Sequence, residues 1–288
     1  MEKIKFQEIA AKSVLIPSKL PDADYVVNPY TGCEFGCVYC YASFMGRFVK
    51  EPITNWGNYV YVKTNAVTVF EDDLKRLSLQ KRSSSTILLS SVTDPYHGAE
   101  TKYCLTRGIL EILVNESYPG LISILTKSPL VLRDLDLLKK LPRVEVGMTV
   151  TTTDDKLSRF LELRAPSASR RLKTLKQLHT EGLNTYAFIG PLLPHFRYQP
   201  ELLDELFAHL AETQVDSIFV EHINMKGYIR ERLMPALQDE PSEVQSIYRG
   251  ADTTEHRRAL DSIVSQLIEK YGFKLRLGEV LYHNKEKT

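Results

Sequence analysis

From residue 86 to residue 223 the chain repeats one pattern, a short apolar run followed by a stretch with apolar residues at helical spacing. The apolar runs cover 86–90, 121–125, 144–150, 184–189 and 217–223, and the helical stretches between them cover 105–115, 130–140, 168–180 and 201–211. Runs this short and this continuously apolar are strands buried on both faces, which occur in parallel sheets covered by helices. Ser167 is placed to cap the helix at 168–180 and Gly182 to end it. With the extended run at 25–27 counted first, the chain has about six strand–helix units, enough for an open or partial barrel.

The remaining stretches frame that pattern. Residues 1–24 are polar with Pro17 and Pro21 and read as an arm laid over the domain. The aromatic-rich 44–48 starts a helix, 59–63 is extended, and 67–79 is helical, with Val67, Phe70, Leu74 and Leu77 on one face. Beyond residue 224 the pattern loosens. Pro235 and Pro241 precede a helix at 254–271 and a last strand candidate at 273–282. The expected organisation is therefore an arm at 1–24, a barrel at 25–224 and a helical and strand cap at 225–288.

Chemistry concentrates in 28–41, NPYTGCEFGCVYCY, where Cys33, Cys37 and Cys40 are spaced C-x3-C-x2-C. Three thiolates in eight residues select a soft metal centre. Gly32 and Gly36 stand beside the first two cysteines, where a loop that folds its sulfurs inward needs unusual backbone angles. A structural zinc knuckle or a ferredoxin-type cluster wants four protein ligands. The only other cysteine is Cys104, in a helical pattern with Gly108 and Ile112, which reads as a small buried hydrophobe.

The cysteine loop resembles that of radical S-adenosylmethionine (SAM) enzymes, in the subfamily similar to spore photoproduct lyase. The resemblance extends through Thr93-Asp94-Pro95-Tyr96 with Glu100, Thr126-Lys127-Ser128-Pro129 with Arg133-Asp134-Leu135, and Glu162, Arg164 and Arg171-Leu172. It implies a partial (β/α)6 barrel, a [4Fe–4S] cluster on Cys33, Cys37 and Cys40, and SAM on the open fourth iron. It further implies reductive cleavage of SAM to a 5′-deoxyadenosyl radical that abstracts hydrogen from a substrate.

By the same resemblance Thr93 meets the methionine amino group, with Asp94 beside it. Lys127 meets the carboxylate, Thr151 or Thr152 the ribose, and Tyr39 the adenine side. Tyr39 and Tyr41 stand where the photoproduct lyase relays a radical. That enzyme's hydrogen-donor cysteine is matched by Ser91, whose strong O–H bond does not readily yield a hydrogen atom, so thymine-dimer repair is disfavoured. An electron donor of flavodoxin or ferredoxin type is implied. A non-catalytic iron–sulfur or zinc protein, acting as electron carrier or adaptor, is the rival reading.

Lysine and arginine total 37 against 36 acidic residues, so nothing in the overall charge calls for nucleic acid. Arg164, Arg170, Arg171 and Lys173 form a short basic cluster able to touch phosphates, or simply a solvated helix face. No run approaches the roughly 18 apolar residues of a membrane span. The amino terminus lacks a signal-peptide core, and the cysteines do not form a secreted disulfide framework, so a cytoplasmic protein without membrane partners is expected.

Overall fold

The computed structural model describes residues 3–282. The chain divides into two compact units. The first takes the chain up to Gly36, then Ala42–Gly147 and Glu181–Asn184; the second takes Cys37–Tyr41, Met148–Thr180 and the chain from Thr185 onward. The strands are β1 (Lys5–Ile9), β2 (Leu15–Pro17), β3 (Tyr25–Val27), β4 (Tyr30–Thr31), β5 (Tyr59–Lys63), β6 (Thr86–Leu89), β7 (Leu121–Thr126), β8 (Val144–Thr149), β9 (Asn184–Leu192) and β10 (Ser217–His222).

In the first unit β3, β6 and β7 are parallel neighbours, Val26 facing Leu88 and Ile87 facing Ile122, with β2 antiparallel on the outer edge of β3. Ile87, Leu89, Ile122 and Ile124 are all but inaccessible, as the continuous apolar runs predict. A separate three-stranded sheet runs β1-β5-β4. The helices Ala66–Lys75 and Leu105–Asn115 approach closely at Gly108. A Cβ there would lie 2.7 Å from a Val67 methyl. Glycine costs a helix about 1 kcal/mol against alanine, and here it makes room for that contact.

Several expectations change in this unit. The arm at 1–24 contains two strands. β1 is exposed along almost its whole length and is held by its parallel backbone pairing with β5, so no alternation marked it in the sequence. The single helix expected at 67–79 is two, Ala66–Lys75 and Leu79–Ser84, because Ser78 accepts the Lys81 N–H (3.3 Å) and caps the second. The helix expected at 130–140 is a 3-10 turn, Pro129–Asp134, followed by one short α-helical turn, Leu135–Leu138.

In the second unit β9 and β10 are parallel neighbours, Ile218 facing Ala187 and Val220 facing Ile189. The helices Ala168–Thr180 and Pro200–Thr213 follow the expected spacing, and Gly182 takes the left-handed φ of +83° beyond the first. The loosened region holds two further helices, Gly227–Ala236 and Ser242–Arg249, ahead of Thr254–Tyr271. In the first of them only Ile229 and Leu233 are buried, too few apolar positions to show a period, and Pro235 lies within it. The strand expected at 273–282 is absent among the described residues. The segment touches β10 only at isolated bridges, Leu275 to Ile218 and Leu281 to Glu221, with a 3-10 turn between them. Among the described residues no helix is long and apolar enough to cross a membrane.

Candidate functional site

The cysteine loop leaves β4 at Gly32, whose φ is +92°. A Cβ at that position would lie 2.4 Å from the Tyr59 carbonyl oxygen, so only glycine fits. The Thr93 hydroxyl donates to the Gly32 carbonyl (2.6 Å). Two tight turns follow, closed by the Gly36 N–H on the Cys33 carbonyl (3.4 Å) and the Cys40 N–H on the Cys37 carbonyl (3.1 Å). The Val38 N–H donates to the Leu161 carbonyl (2.9 Å), which pins the middle of the second half.

Cys33 and Cys37 are buried, Cys40 is half-buried, and no disulfide joins the cysteines. Among the described residues no three His, Cys, Asp or Glu side chains gather to hold a single metal ion. An iron–sulfur cluster makes a different demand, one thiolate for each ligated iron. The donor set fits it: three soft thiols on a loop whose glycines and backbone bonds fix the turn.

Around the loop in the first unit stand several buried ionisable groups. The Tyr30 hydroxyl donates to Glu100. Glu100 is fully buried and also accepts from Arg133 (2.8 Å) and from the N–H groups of Thr106 (3.0 Å) and Arg107 (3.1 Å). The Tyr30 phenol is pushed well up, first by burial and then by the Glu100 charge. Glu34 faces His97 (3.2 Å) and accepts the Ala99 N–H (3.1 Å). Burial alone would raise the Glu34 carboxyl, but His97 and the N–H groups of Ala99 and Gly98 outweigh it and hold the carboxyl below the usual range.

Asp94 is buried and braces two strand ends. It accepts the Thr126 hydroxyl (2.6 Å), the Lys127 N–H (2.7 Å) and the Tyr96 N–H (2.9 Å). Lys127 itself is half-buried. Ser91 is half-buried and its N–H donates to the Asn28 side chain (2.9 Å).

In the second unit the centre is Glu162, buried completely with Arg171 as its ion-pair partner. The Tyr39 hydroxyl donates to the same carboxylate, as do the hydroxyls of Ser158 (3.0 Å) and Thr151 (3.3 Å). Burial, then the Glu162 charge, drives the Tyr39 phenol far above its ordinary range. Burial alone would pull Arg171 down, but Glu162 reverses this and holds the guanidinium charged. Thr152 is buried and its hydroxyl accepts the Asp154 N–H (3.1 Å). Tyr41 is 41% exposed.

Two sequence expectations are corrected here. Arg171 does not belong to a basic surface cluster; only Arg170 and Lys173 of that group are exposed. Cys104 is exposed rather than buried. It sits at a left-handed φ of +50°, one residue before the helix Leu105–Asn115 begins, so the helical spacing to Gly108 does not place it on the core face. The sequence alone did not single out the Glu34–His97 pair, nor Tyr228 and Arg232 on the helix Gly227–Ala236. His195 and His222 hydrogen-bond to Tyr248 (2.7 Å) and Asp261 (2.8 Å).

The family model of the radical SAM superfamily matches residues 27–220. The chain belongs to the radical SAM superfamily. An uncharacterized protein of Methanocaldococcus jannaschii is 35% identical to it over 270 residues, covering 93% of this chain and 95% of the relative. An uncharacterized protein of Mycobacterium tuberculosis is 31% identical over 283 residues, covering 93% and 81%. Among solved structures, spore photoproduct lyase in complex with its dinucleoside photoproduct superposes with a TM-score of 0.70 at 17% identity, covering 95% of this chain and 80% of that one. SuiB of Streptococcus suis bound to S-adenosylmethionine gives 0.57 at 16%, covering 87% and 48%. The α/β fold with parallel strands, in the partial-barrel form of radical SAM enzymes, is thus the fold of this chain. Membership implies an enzyme that cleaves SAM with an iron–sulfur cluster.

Proposed function

We propose that the chain is a radical SAM enzyme in which Cys33, Cys37 and Cys40 hold a [4Fe–4S] cluster and SAM takes the fourth iron. The observation that carries this reading is the donor set, three cysteines in one glycine-turned loop, while the remaining cysteine is exposed at the head of a helix. When bound, the reduced cluster and SAM supply a 5′-deoxyadenosyl radical that abstracts hydrogen from a substrate.

The chain's own residues do the positioning. Thr93 locks the loop through the Gly32 carbonyl and offers its oxygen to the methionine amino group. Lys127 offers its ammonium to the methionine carboxylate, with Asp94 fixing the Lys127 backbone. Asp94 therefore serves SAM as a brace, its carboxylate already taken up by three donors. Thr151 and Thr152, with hydroxyls engaged by Glu162 and the Asp154 N–H, act in this reading by supporting the strand end and Tyr39. Tyr39 and Tyr41 are the candidate relay for a hydrogen atom, and Glu162 holds the Tyr39 hydroxyl in place.

The substrate is one that does not rely on a donor thiol at position 91, which sets this chain apart from a thymine-photoproduct lyase. A flavodoxin- or ferredoxin-type carrier would supply the electron. The test is anaerobic reconstitution, reduction with dithionite in the presence of SAM, and chromatography for 5′-deoxyadenosine. Its formation is expected, together with its loss in Cys37→Ala. A fully loaded cluster that yields none would favour the electron-carrier reading. Dinucleoside photoproduct added to the same mixture is expected to be left unrepaired.

A further inference from the structure

We infer that the helix Gly227–Ala236 clamps the second half of the cysteine loop and that Arg232 raises the reduction potential of the cluster held there; this rests on the cluster reading above. Tyr228 and Arg232 are four residues apart and so share one helix face. The Tyr228 hydroxyl donates to the Tyr41 carbonyl (3.2 Å), and the Arg232 guanidinium donates to the Cys37 carbonyl (3.0 Å). The two bonds hold both ends of the five-residue segment Cys37–Tyr41.

The Cys37 carbonyl also accepts the Cys40 N–H (3.1 Å), so both of its acceptor positions are filled and its orientation is fixed. The helix is anchored in turn. Ile229 and Leu233 are buried, and Arg230 donates to the Met225 carbonyl (2.9 Å) and pairs with Asp252 (2.9 Å). The helix lies beyond residues 27–220, which the family model matches.

The charge has a direction of action. Cluster potentials follow net charge, hydrogen bonding and solvent exposure. A guanidinium is always protonated, and here it stands on the peptide group of a ligating cysteine. Reduction adds a negative charge, which a fixed neighbouring cation stabilises, so Arg232 makes the cluster easier to reduce. Arg232 is therefore a positioning and tuning residue, not one that touches substrate.

The test uses the reconstituted full chain, with iron content, circular dichroism and the EPR amplitude of the reduced cluster read at a fixed redox poise. For Arg232→Gln the expected result is native iron content and a reduced-to-oxidised ratio about tenfold below the parent, equivalent to 59 mV for a one-electron couple. Arg232→Lys, which keeps the charge, is expected within about threefold of the parent, and Tyr228→Phe, which removes the neutral bond, is expected unchanged. Loss of iron from Arg232→Gln with iron kept in Arg232→Lys would also support the inference. It is overturned if Arg232→Gln matches the parent, if Tyr228→Phe shifts the ratio as far as Arg232→Gln does, or if both Arg232 variants lose iron with native dichroism. A parent that binds no iron refutes the cluster reading itself and is seen before any variant is made.

Discussion

Replacing Arg171 with methionine strands a carboxylate in the interior of the second unit. Glu162 is completely buried, and the change takes away its guanidinium partner while the hydroxyls of Tyr39, Thr151 and Ser158 still donate to it. The carbonyls of Pro166 and Thr149 also lose the donors that Arg171 gives them (2.7 and 3.3 Å). Removing one partner of a buried ion pair costs about 3–5 kcal/mol. Unfolding entropy of about 2.1 cal/mol/K per residue gives roughly 0.6 kcal/mol/K for a chain of 288 residues. Arg171→Met should therefore melt about 5–8 °C below the parent at pH 8. The deficit should shrink as pH falls toward 5, because a stranded buried carboxylate can take up a proton and become neutral. The double variant Glu162→Gln/Arg171→Met should recover much of the loss, since no charge is then left alone. Thermal melts followed by circular dichroism at the two pH values measure all of this. A single variant within about 1 kcal/mol of the parent, or a double variant no better than the single, would refute the argument.

Other expectations follow from single groups. Lys63 is brought down to about 8 by burial, its ammonium bonded to the Asn28 carbonyl (2.6 Å). Between pH 8 and about 10.5 the unfolded chain binds the extra proton, so stability should rise with pH across that window, by about 2 kcal/mol after discount for partial exposure. Lys63→Met should flatten the rise in urea titrations, and an unchanged slope would count against it. Burial lowers His195 to about 4, so below about pH 6.5 the unfolded state gains protons that the folded state refuses. Stability should fall toward pH 4 by about 3 kcal/mol on this account, and less steeply in His195→Gln. Cys104→Ser should leave iron per chain at the parent value while Cys40→Ser loses it, as read by iron analysis after reconstitution.

Much of the fold was legible because buried parallel strands are written as continuous apolar runs. The strands at 25–27, 86–89 and 217–222 announce themselves in this way, and the helices Leu105–Asn115, Ala168–Thr180 and Thr254–Tyr271 by apolar residues at helical spacing. β1 did not, since an exposed edge strand is held by backbone bonds that leave no trace in side-chain pattern. Gly227–Ala236 did not either, with two buried apolar residues and a proline in ten positions.

The cysteine loop was legible because its chemistry is local in sequence. Glu162 was visible as a motif residue but not as the buried partner of Arg171, nine residues on. Pairing of that kind depends on where two backbone segments meet, which spacing does not encode. Cys104 misled for a related reason. Its four-residue steps to Gly108 and Ile112 imitate a helix face, yet the helix starts one residue later.

The central claim is an iron left open by three cysteines, and the EPR spectrum of the reduced cluster with and without SAM tests it most directly. The account predicts a signal whose g-values change when SAM is added, in a chain carrying four irons on Cys33, Cys37 and Cys40. A spectrum indifferent to SAM, or a preparation that retains only a single zinc per chain, would contradict it.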